Sequence, residues 1–218
     1  MLNWNKINTI LLDMDGTLLD LNFDNHFWLE FIPERYALQN QLSINEATEI
    51  LLPLFKSMEG KLEWYCLDYW SKTLDLDIAG LKAEISGLIS VLPHVTEFLT
   101  ALQQTNKKVL LVTNAHRDSL SLKMEKTCLQ PFFDNIICSH DFGFAKEHQE
   151  FWQAFQNEYD WDKQSTLMVD DSLAVLRAAQ TFGISHLISV KQPDSKKAAK
   201  IITEFSAIND FREIMPDE

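Results

Sequence analysis

Cysteine is scarce in this chain. The three that occur, Cys66, Cys128 and Cys138, are an odd number without C-x-x-C spacing. That excludes a disulfide framework or a zinc knuckle as the organising device and points to a reducing compartment. Positive charge is also short: 19 basic side chains face 32 acidic ones, for a net charge of −13. Such a surface repels nucleic acid and anionic membranes, so neither is an expected partner. No apolar run approaches the roughly 18 residues of a membrane span. The N-terminal stretch Met1 to Thr17 has no charged segment followed by a long apolar one, so no secretory leader is expected and the cytoplasm is the expected location. The six histidines fall into no H-x-H or H-E-x-x-H pattern, which leaves zinc ligation without a signal. Internal repeats, low-complexity tracts and long flexible linkers are missing as well.

What is present suits a folded enzyme-sized chain. Hydrophobic residues make up 46% of 218, enough for a sizeable core. The length is generous for one compact domain and short for two, which fits a core domain carrying a smaller insertion. Short apolar runs that end abruptly in polar residues recur along the chain. Thr9 to Leu12 stops at Asp13-Met-Asp-Gly-Thr17; Lys108 to Val112 stops at Thr113-Asn114; Asn135 to Cys138 stops at Ser139-His-Asp; Thr166 to Val169 stops at Asp170-Asp171-Ser172; and His186 to Val190 stops near Lys191. Each reads as a buried strand running into a loop. Helical periodicity fills the intervals, over Val95 to Gln104, His116 to Lys126 and Leu173 to Phe182, the last followed by Gly183 as a stop. Strands alternating with helices imply a parallel sheet covered on both faces, with ligands bound beyond the carboxyl ends of the strands.

Leu21 to Leu92 breaks this rhythm. It has no buried-strand run, carries a capping box at Ser43-Ile-Asn-Glu46, and gathers Trp28, Trp64, Tyr65, Tyr69 and Trp70. It reads as a helical insertion between the first strand and the rest of the sheet, dividing the chain into a core of residues 1–20 and 93–218 and an inserted domain of residues 21–92. The polar tail from about Pro193 is expected to form a terminal helix with a frayed end.

The polar strand ends carry the chemistry. Asp13 and Asp15, two apart on extended backbone, project to one side, and Gly16 permits the turn that follows. One carboxylate can attack as a nucleophile while the other protonates a leaving oxygen and then activates water. A plain Asp-Gly turn with solvated acids is the alternative. Asp170-Asp171 forms a second doublet, which could instead decorate a helix N-terminus. Together the doublets would crowd four carboxylates into one crevice, a repulsion that a hard, oxygen-seeking cation such as Mg²⁺ relieves. Thr113 and Asn114 could grip phosphate oxygens or cap the following helix. Lys146 could balance the charge of both a carboxylate and a phosphate, or be a surface lysine.

In this order, Asp13-x-Asp15-Gly-Thr17, Thr113-Asn114, Lys146 and Asp170-Asp171 resemble the four motifs of the haloacid dehalogenase-like (HAD) hydrolase superfamily, over nearly the whole chain. The resemblance implies a Rossmann-like core with a mobile, inserted helical cap of the C1 type. It implies Asp13 as nucleophile and Asp15 as general acid and base. Thr113 and Lys146 become phosphate-binding and charge-balancing residues, with Asn114 and Thr17 on the substrate. Asp13, Asp170, Asp171 and the main-chain carbonyl of Asp15 become the surroundings of Mg²⁺, Asp170 directly and Asp171 directly or through water. The family's dehalogenases lack an aspartate at the place of Asp15, so its presence favours cleavage of a phosphate monoester. Transfer to a sugar hydroxyl would use the same intermediate.

Leu11 to Leu21, Phe23-Asp-Asn25, Trp64 to Trp70 and Val112 to His116 further resemble the bacterial GMP/IMP-type purine 5′-nucleotidase group of that superfamily. This implies purine nucleoside monophosphates as substrates, with Trp64, Tyr65, Tyr69 or Trp70 stacking on the base or else packing the insertion's own core. A phosphatase for phosphoglycolate or a sugar phosphate, and a catalytically idle binding scaffold, are the competing readings. No feature of the pattern specifies an oligomeric state.

Overall fold

The computed structural model of the protein describes residues 2–216. After β1 (Thr9–Leu12) come α1 (Asn22–His26), α2 (Ile32–Asn40), α3 (Ile44–Met58), α4 (Leu62–Tyr65), α5 (Leu67–Leu74) and α6 (Ile78–Glu84). The chain then returns through α7 (Val95–Gln103), β2 (Lys108–Thr113), α8 (Arg117–Thr127), β3 (Asn135–Cys138), α9 (Gln149–Glu158), β4 (Thr166–Asp170), α10 (Leu173–Phe182), β5 (His186–Val190) and β6 (Ser206–Ile208).

The strands form one six-stranded sheet in the order β3-β2-β1-β4-β5-β6, parallel at every pairing. Such a sheet must be covered on both faces, and the apolar runs supply side chains to both. Ile10 and Leu12 of β1 join a core with Val95, Phe98 and Leu99 of α7 and Leu120 of α8. Leu11 points the other way, into a core with Phe151 and Trp152 of α9 and Leu176 of α10. The chain builds outward from β1 to β3 on one side and then from β4 to β6 on the other. The direction therefore reverses between β1 and β4, and the adjacent carboxyl ends of those two strands open a crevice.

The helix ends follow local chemistry. The capping box at α3 is complete, with Ser43 and Glu46 bonded reciprocally. Gly183 takes the left-handed conformation that closes α10. The helix after β2 is capped by the His116 ring rather than by Thr113 or Asn114, whose side chains are engaged by Ala115 N–H and by Lys146 N–H and Glu147. The expected terminal helix is not found among the described residues. Ser206–Ile208 instead adds a sixth strand beside β5, and Phe211–Ile214 forms a single 3₁₀ turn. A few apolar side chains decide this: Ile208, Phe211 and Ile214 are buried, and the Phe211 ring lies 4.6 Å from that of Phe98. The expected frayed end, at Asp217 and Glu218, lies outside the described residues.

The segment between β1 and α7 is helical and has its own core, built from Phe27, Leu51, Phe55, Leu67, Trp70 and Ile78. It leaves and re-enters through two strands of chain that hydrogen-bond to each other, Asp20 N–H to Ser90 O and Leu92 N–H to Leu18 O, both 2.9 Å. Between α1 and α2, Phe27–Phe31 winds as a π turn. Pro33, two residues further on, has no N–H to give to the preceding turn, which accounts for the local unwinding. The turn carries Trp28. Trp70 is fully buried and donates its indole N–H to Trp64 O at 2.8 Å. Trp70→Ala is expected to cost about 3–5 kcal/mol of folding stability, readable as a lowered denaturant midpoint.

Candidate active site

The crevice receives the polar strand ends. The Asp13 N–H donates to Val169 O at 3.0 Å, so the chain stays paired with β4 one residue beyond β1 and delivers the Asp13 carboxylate beside Asp170, the last residue of β4. Lys146 is buried between them. Its ammonium donates to Asp13 Oδ1 at 2.6 Å, Asp170 Oδ2 at 2.8 Å and Val112 O at 2.9 Å. Those acceptors use its three protons. Burial works against the charge on Lys146, but the two aspartates outweigh it and push its pKa up.

Asp13, Asp170 and Asp171 each offer an oxygen, and these lie within 4.8 Å of one another. The cations nearest to them are Lys146 and, at 3.3 Å from Asp171, the half-exposed Lys200. Burial pushes all three carboxyls up to about 6, with the charge of a neighbouring aspartate adding to the rise in each case. A compact set of hard oxygen donors with negative charge in excess suits a divalent cation such as Mg²⁺. Gly16 makes room for the Asp171 carboxylate: the residue sits at φ +83°, and a Cβ there would fall 2.7 Å from Asp171 Cγ.

A stability consequence follows from these raised values. A carboxyl that binds its proton more tightly folded than unfolded stabilises the fold below its unfolded pKa, and that contribution is lost as pH rises through about 6. Above that range the ionised group opposes folding of the metal-free chain. Asp171→Asn is therefore expected to stabilise the metal-free protein at neutral pH by about 1–3 kcal/mol. The same change should abolish most of the rise in melting temperature produced by Mg²⁺. A thermal melt with and without the ion checks both.

The Asp15 carboxylate stands outside this cluster, which leaves its main-chain carbonyl as the group the family resemblance assigns to the ion. Its Oδ1 accepts from Lys123 Nζ at 2.7 Å. Lys123 also donates to Asp24 Oδ2 at 2.7 Å, and Asp24 Oδ1 accepts from Lys82 at 2.6 Å. Asp15, Lys123, Asp24 and Lys82 thus alternate in sign and link the loop after β1 to the helical insertion. Burial pushes Asp15 up to about 6 despite Lys123, helped by the charge of Asp24. Burial opposes ionisation of Asp24 too, but there Lys123 and Lys82 prevail and hold the carboxyl well below the usual range.

Sequence reasoning missed the two lysines. A signal existed: Lys123 shares a buried helix face with Leu120 and Met124, and Lys82 follows the buried Ile78 by one turn. A lysine at such a position needs an anionic partner.

Other expected residues divide. Thr113 is buried, and its hydroxyl accepts from Ala115 N–H at 3.0 Å, shaping the turn. Asn114 accepts from Lys146 N–H and donates to Glu147, both at 2.9 Å. Its side chain braces the loop of Lys146. Thr17 departs from the substrate role expected of it. It is fully buried, and its hydroxyl accepts from Asp171 N–H at 3.1 Å, so it holds the two acidic loops in register. Glu147, unremarked in the sequence, also accepts from the Tyr65 hydroxyl at 2.6 Å, tying the insertion to the loop of Lys146.

A cavity of about 540 Å³ lies between the insertion and the sheet, within the range of small-molecule sites. Asp15, His116 and Lys123 line it from the sheet side; Trp28, Trp64 and Tyr65 line it from the insertion. Of the four aromatics considered for base stacking, Trp70 is wholly buried in the insertion's core and Tyr69 packs against it at 5.1 Å. Trp64 and Tyr65 reach the cavity. Trp28 joins them, its ring 26° from parallel to that of Trp64. Cys66 serves as a helix cap, its Sγ accepting from Tyr69 N–H.

A parallel sheet of this strand order, with acids and a buried lysine gathered at its switch point, defines an α/β protein of Rossmann-like topology with a carboxylate-lined site. The haloacid dehalogenase-like hydrolase family model matches residues 7–183, and the chain belongs to that family of hydrolases. It is 39% identical over 213 residues to the GMP/IMP nucleotidase YrfG of Escherichia coli, covering 98% of this chain and 96% of that protein. Among solved structures, it resembles a HAD phosphatase from Thermococcus onnurineus at a TM-score of 0.80 and 21% identity, over 95% of this chain and 96% of that one. A HAD family enzyme of Bacteroides thetaiotaomicron, in complex with magnesium and inorganic phosphate, gives a TM-score of 0.63 at 15% identity, over 85% of this chain and 95% of that one. These two share the fold.

Proposed function

We propose that the protein is a Mg²⁺-dependent phosphatase that hydrolyses purine nucleoside 5′-monophosphates such as GMP and IMP through a phosphorylated Asp13. One observation carries the reading. Asp13 is held by Lys146 beside Asp170 and Asp171, while Asp15, two residues on, lines the cavity beneath the insertion. This arrangement supports a reading in which a nucleophile and a proton donor act on opposite sides of one phosphoryl group. Similarity to the GMP/IMP nucleotidase supports the substrate class, as does a cavity with an aromatic wall.

In this mechanism an Asp13 carboxylate oxygen attacks phosphorus in line as the bond from phosphorus to the ester oxygen breaks. Asp15 gives its proton to the departing ribose oxygen. Water then attacks the aspartyl phosphate, with Asp15 taking its proton, and inorganic phosphate leaves with Asp13 regenerated. Lys146 offsets negative charge throughout. Asp13, Asp170, Asp171 and the Asp15 carbonyl would hold Mg²⁺, which supplies positive charge to the non-bridging phosphoryl oxygens. Residues 21–92 act as a cap that opens for substrate and closes to exclude bulk water, moving on the paired linkers at 18–20 and 90–92 relative to the core of 1–20 and 93–218.

The test is phosphate release from GMP, IMP, AMP, phosphoglycolate and sugar phosphates, with Mg²⁺ and with EDTA. Release from nucleotides that EDTA stops and Mg²⁺ restores is expected. Rapid release from the non-nucleotides alone would remove the nucleotidase reading, and activity indifferent to chelator would remove the metal.

A further inference from the structure

Lys56 and Glu59 stand at the C-terminal end of α3, and both side chains line the cavity that Asp15 also lines. Both are exposed, and neither makes a side-chain ion pair with another described residue. They are three residues apart at a helix end, a spacing that brings side chains side by side on one face. Phe55 anchors this end of α3 through edge-on contacts with Trp28 and Trp64, at 5.4 and 6.1 Å between ring centres. The cavity thus has an aromatic wall, and Lys56 and Glu59 add to its lining a cation and an anion that lack the ion pairs made by Asp15, Asp24, Lys82 and Lys123. That pairing is more selective than the wall alone, because every nucleobase has a face to stack but few have an edge that matches adjacent donor and acceptor groups.

We propose that Glu59 and Lys56 read the base edge and select 6-oxopurines over adenine. The proposal deepens the nucleotidase reading and rests on it. In a 6-oxopurine, N1–H donates and O6 accepts on neighbouring ring positions. Glu59 accepts from N1–H, and in guanine from the exocyclic amino group as well, while Lys56 donates to O6. Adenine inverts both groups. Its unprotonated N1 faces the Glu59 carboxylate, and its amino group faces the Lys56 ammonium. Discrimination therefore comes from repulsion of the wrong base as well as attraction of the right one. Trp28, placed on the cavity by the π turn before α2, and Trp64 supply the stacking surface without choosing among bases.

The experiment measures kcat/KM for GMP, IMP and AMP in wild type, Glu59→Gln and Lys56→Met, with Mg²⁺ present and melting temperatures recorded to confirm folding. The wild type is expected to favour GMP and IMP over AMP. Glu59→Gln should lower the GMP-to-AMP ratio about tenfold or more, with GMP losing more than IMP because two bonds are weakened rather than one. Gln can also turn its amide toward adenine N1, so AMP should not lose in step. Lys56→Met should lower GMP and IMP together. A ratio unchanged in both folded variants, or a wild type that treats GMP and AMP alike, overturns the base-reading proposal and leaves the nucleotidase reading standing. A wild type that releases phosphate from no nucleotide overturns the nucleotidase reading, and this proposal with it.

Discussion

Asp13→Asn should reduce phosphate release by about 10⁴-fold or more while leaving the fold intact. Asparagine keeps the shape of the side chain and still presents an oxygen to Lys146 Nζ, now 2.6 Å from Asp13 Oδ1. What it loses is the anionic oxygen that must bond to phosphorus, and no neighbouring group can take its place. Asp170 is turned toward Lys146 and Ser172 N–H; the Asp15 carboxylate is held by Lys123. The fold should survive because burial already pushes the Asp13 carboxyl up to about 6, so removing its charge relieves the cost of desolvating it in the metal-free state. Brief incubation with substrate followed by acid quench and mass spectrometry should find one added phosphoryl group on the wild type and none on the variant. A variant retaining most of its turnover would defeat the covalent mechanism.

Asp15→Asn should have the second largest effect, and its size should depend on the leaving group. A ribose oxygen leaves poorly unless protonated, so turnover of nucleotides should fall by about 10²–10⁴-fold. A p-nitrophenyl ester needs little proton donation on departure. Its first step should be nearly spared, while the second step still lacks a base to activate water. The expected record is a burst of p-nitrophenolate, stoichiometric with enzyme, followed by slow turnover. Equal losses for the two esters without a burst would show that Asp15 acts only in placing the neighbouring loop. Its surroundings suit the double task. A carboxyl pushed up to about 6 by burial is readily protonated and readily ionised near neutral pH, which an acid that later becomes a base requires.

How much of this was readable from residues alone differs between core and insertion. The five apolar runs identified strands at once, because a strand buried on both faces leaves little freedom to its composition. β6 escaped because Ser206, Ala207 and Ile208 are too few to form a pattern. The acidic doublets were visible since each sits where an apolar run ends. Lys146 gained weight only from its place in the motif order. Lys123 and Lys82 look like ordinary helix-surface lysines until the helices are packed. Of the aromatic cluster in the insertion, the sequence gives the membership and not the facing. Trp64 and Trp70 are six residues apart in neighbouring helices, yet one lines the cavity and the other is sealed in the core.

By itself, the order of residues determined the parallel α/β architecture, the helical nature of the insertion and the chemical types that gather at the strand ends. Those properties follow from local periodicity and from where apolar runs stop. Only the tertiary structure decided that Thr17 braces Asp171 and that Lys123 bridges Asp15 to Asp24. It also decided that Trp28, Lys56 and Glu59 share a cavity with Asp15. Those facts depend on distances between segments far apart in the chain, and such distances are set by how three separate cores pack rather than by any neighbour in sequence.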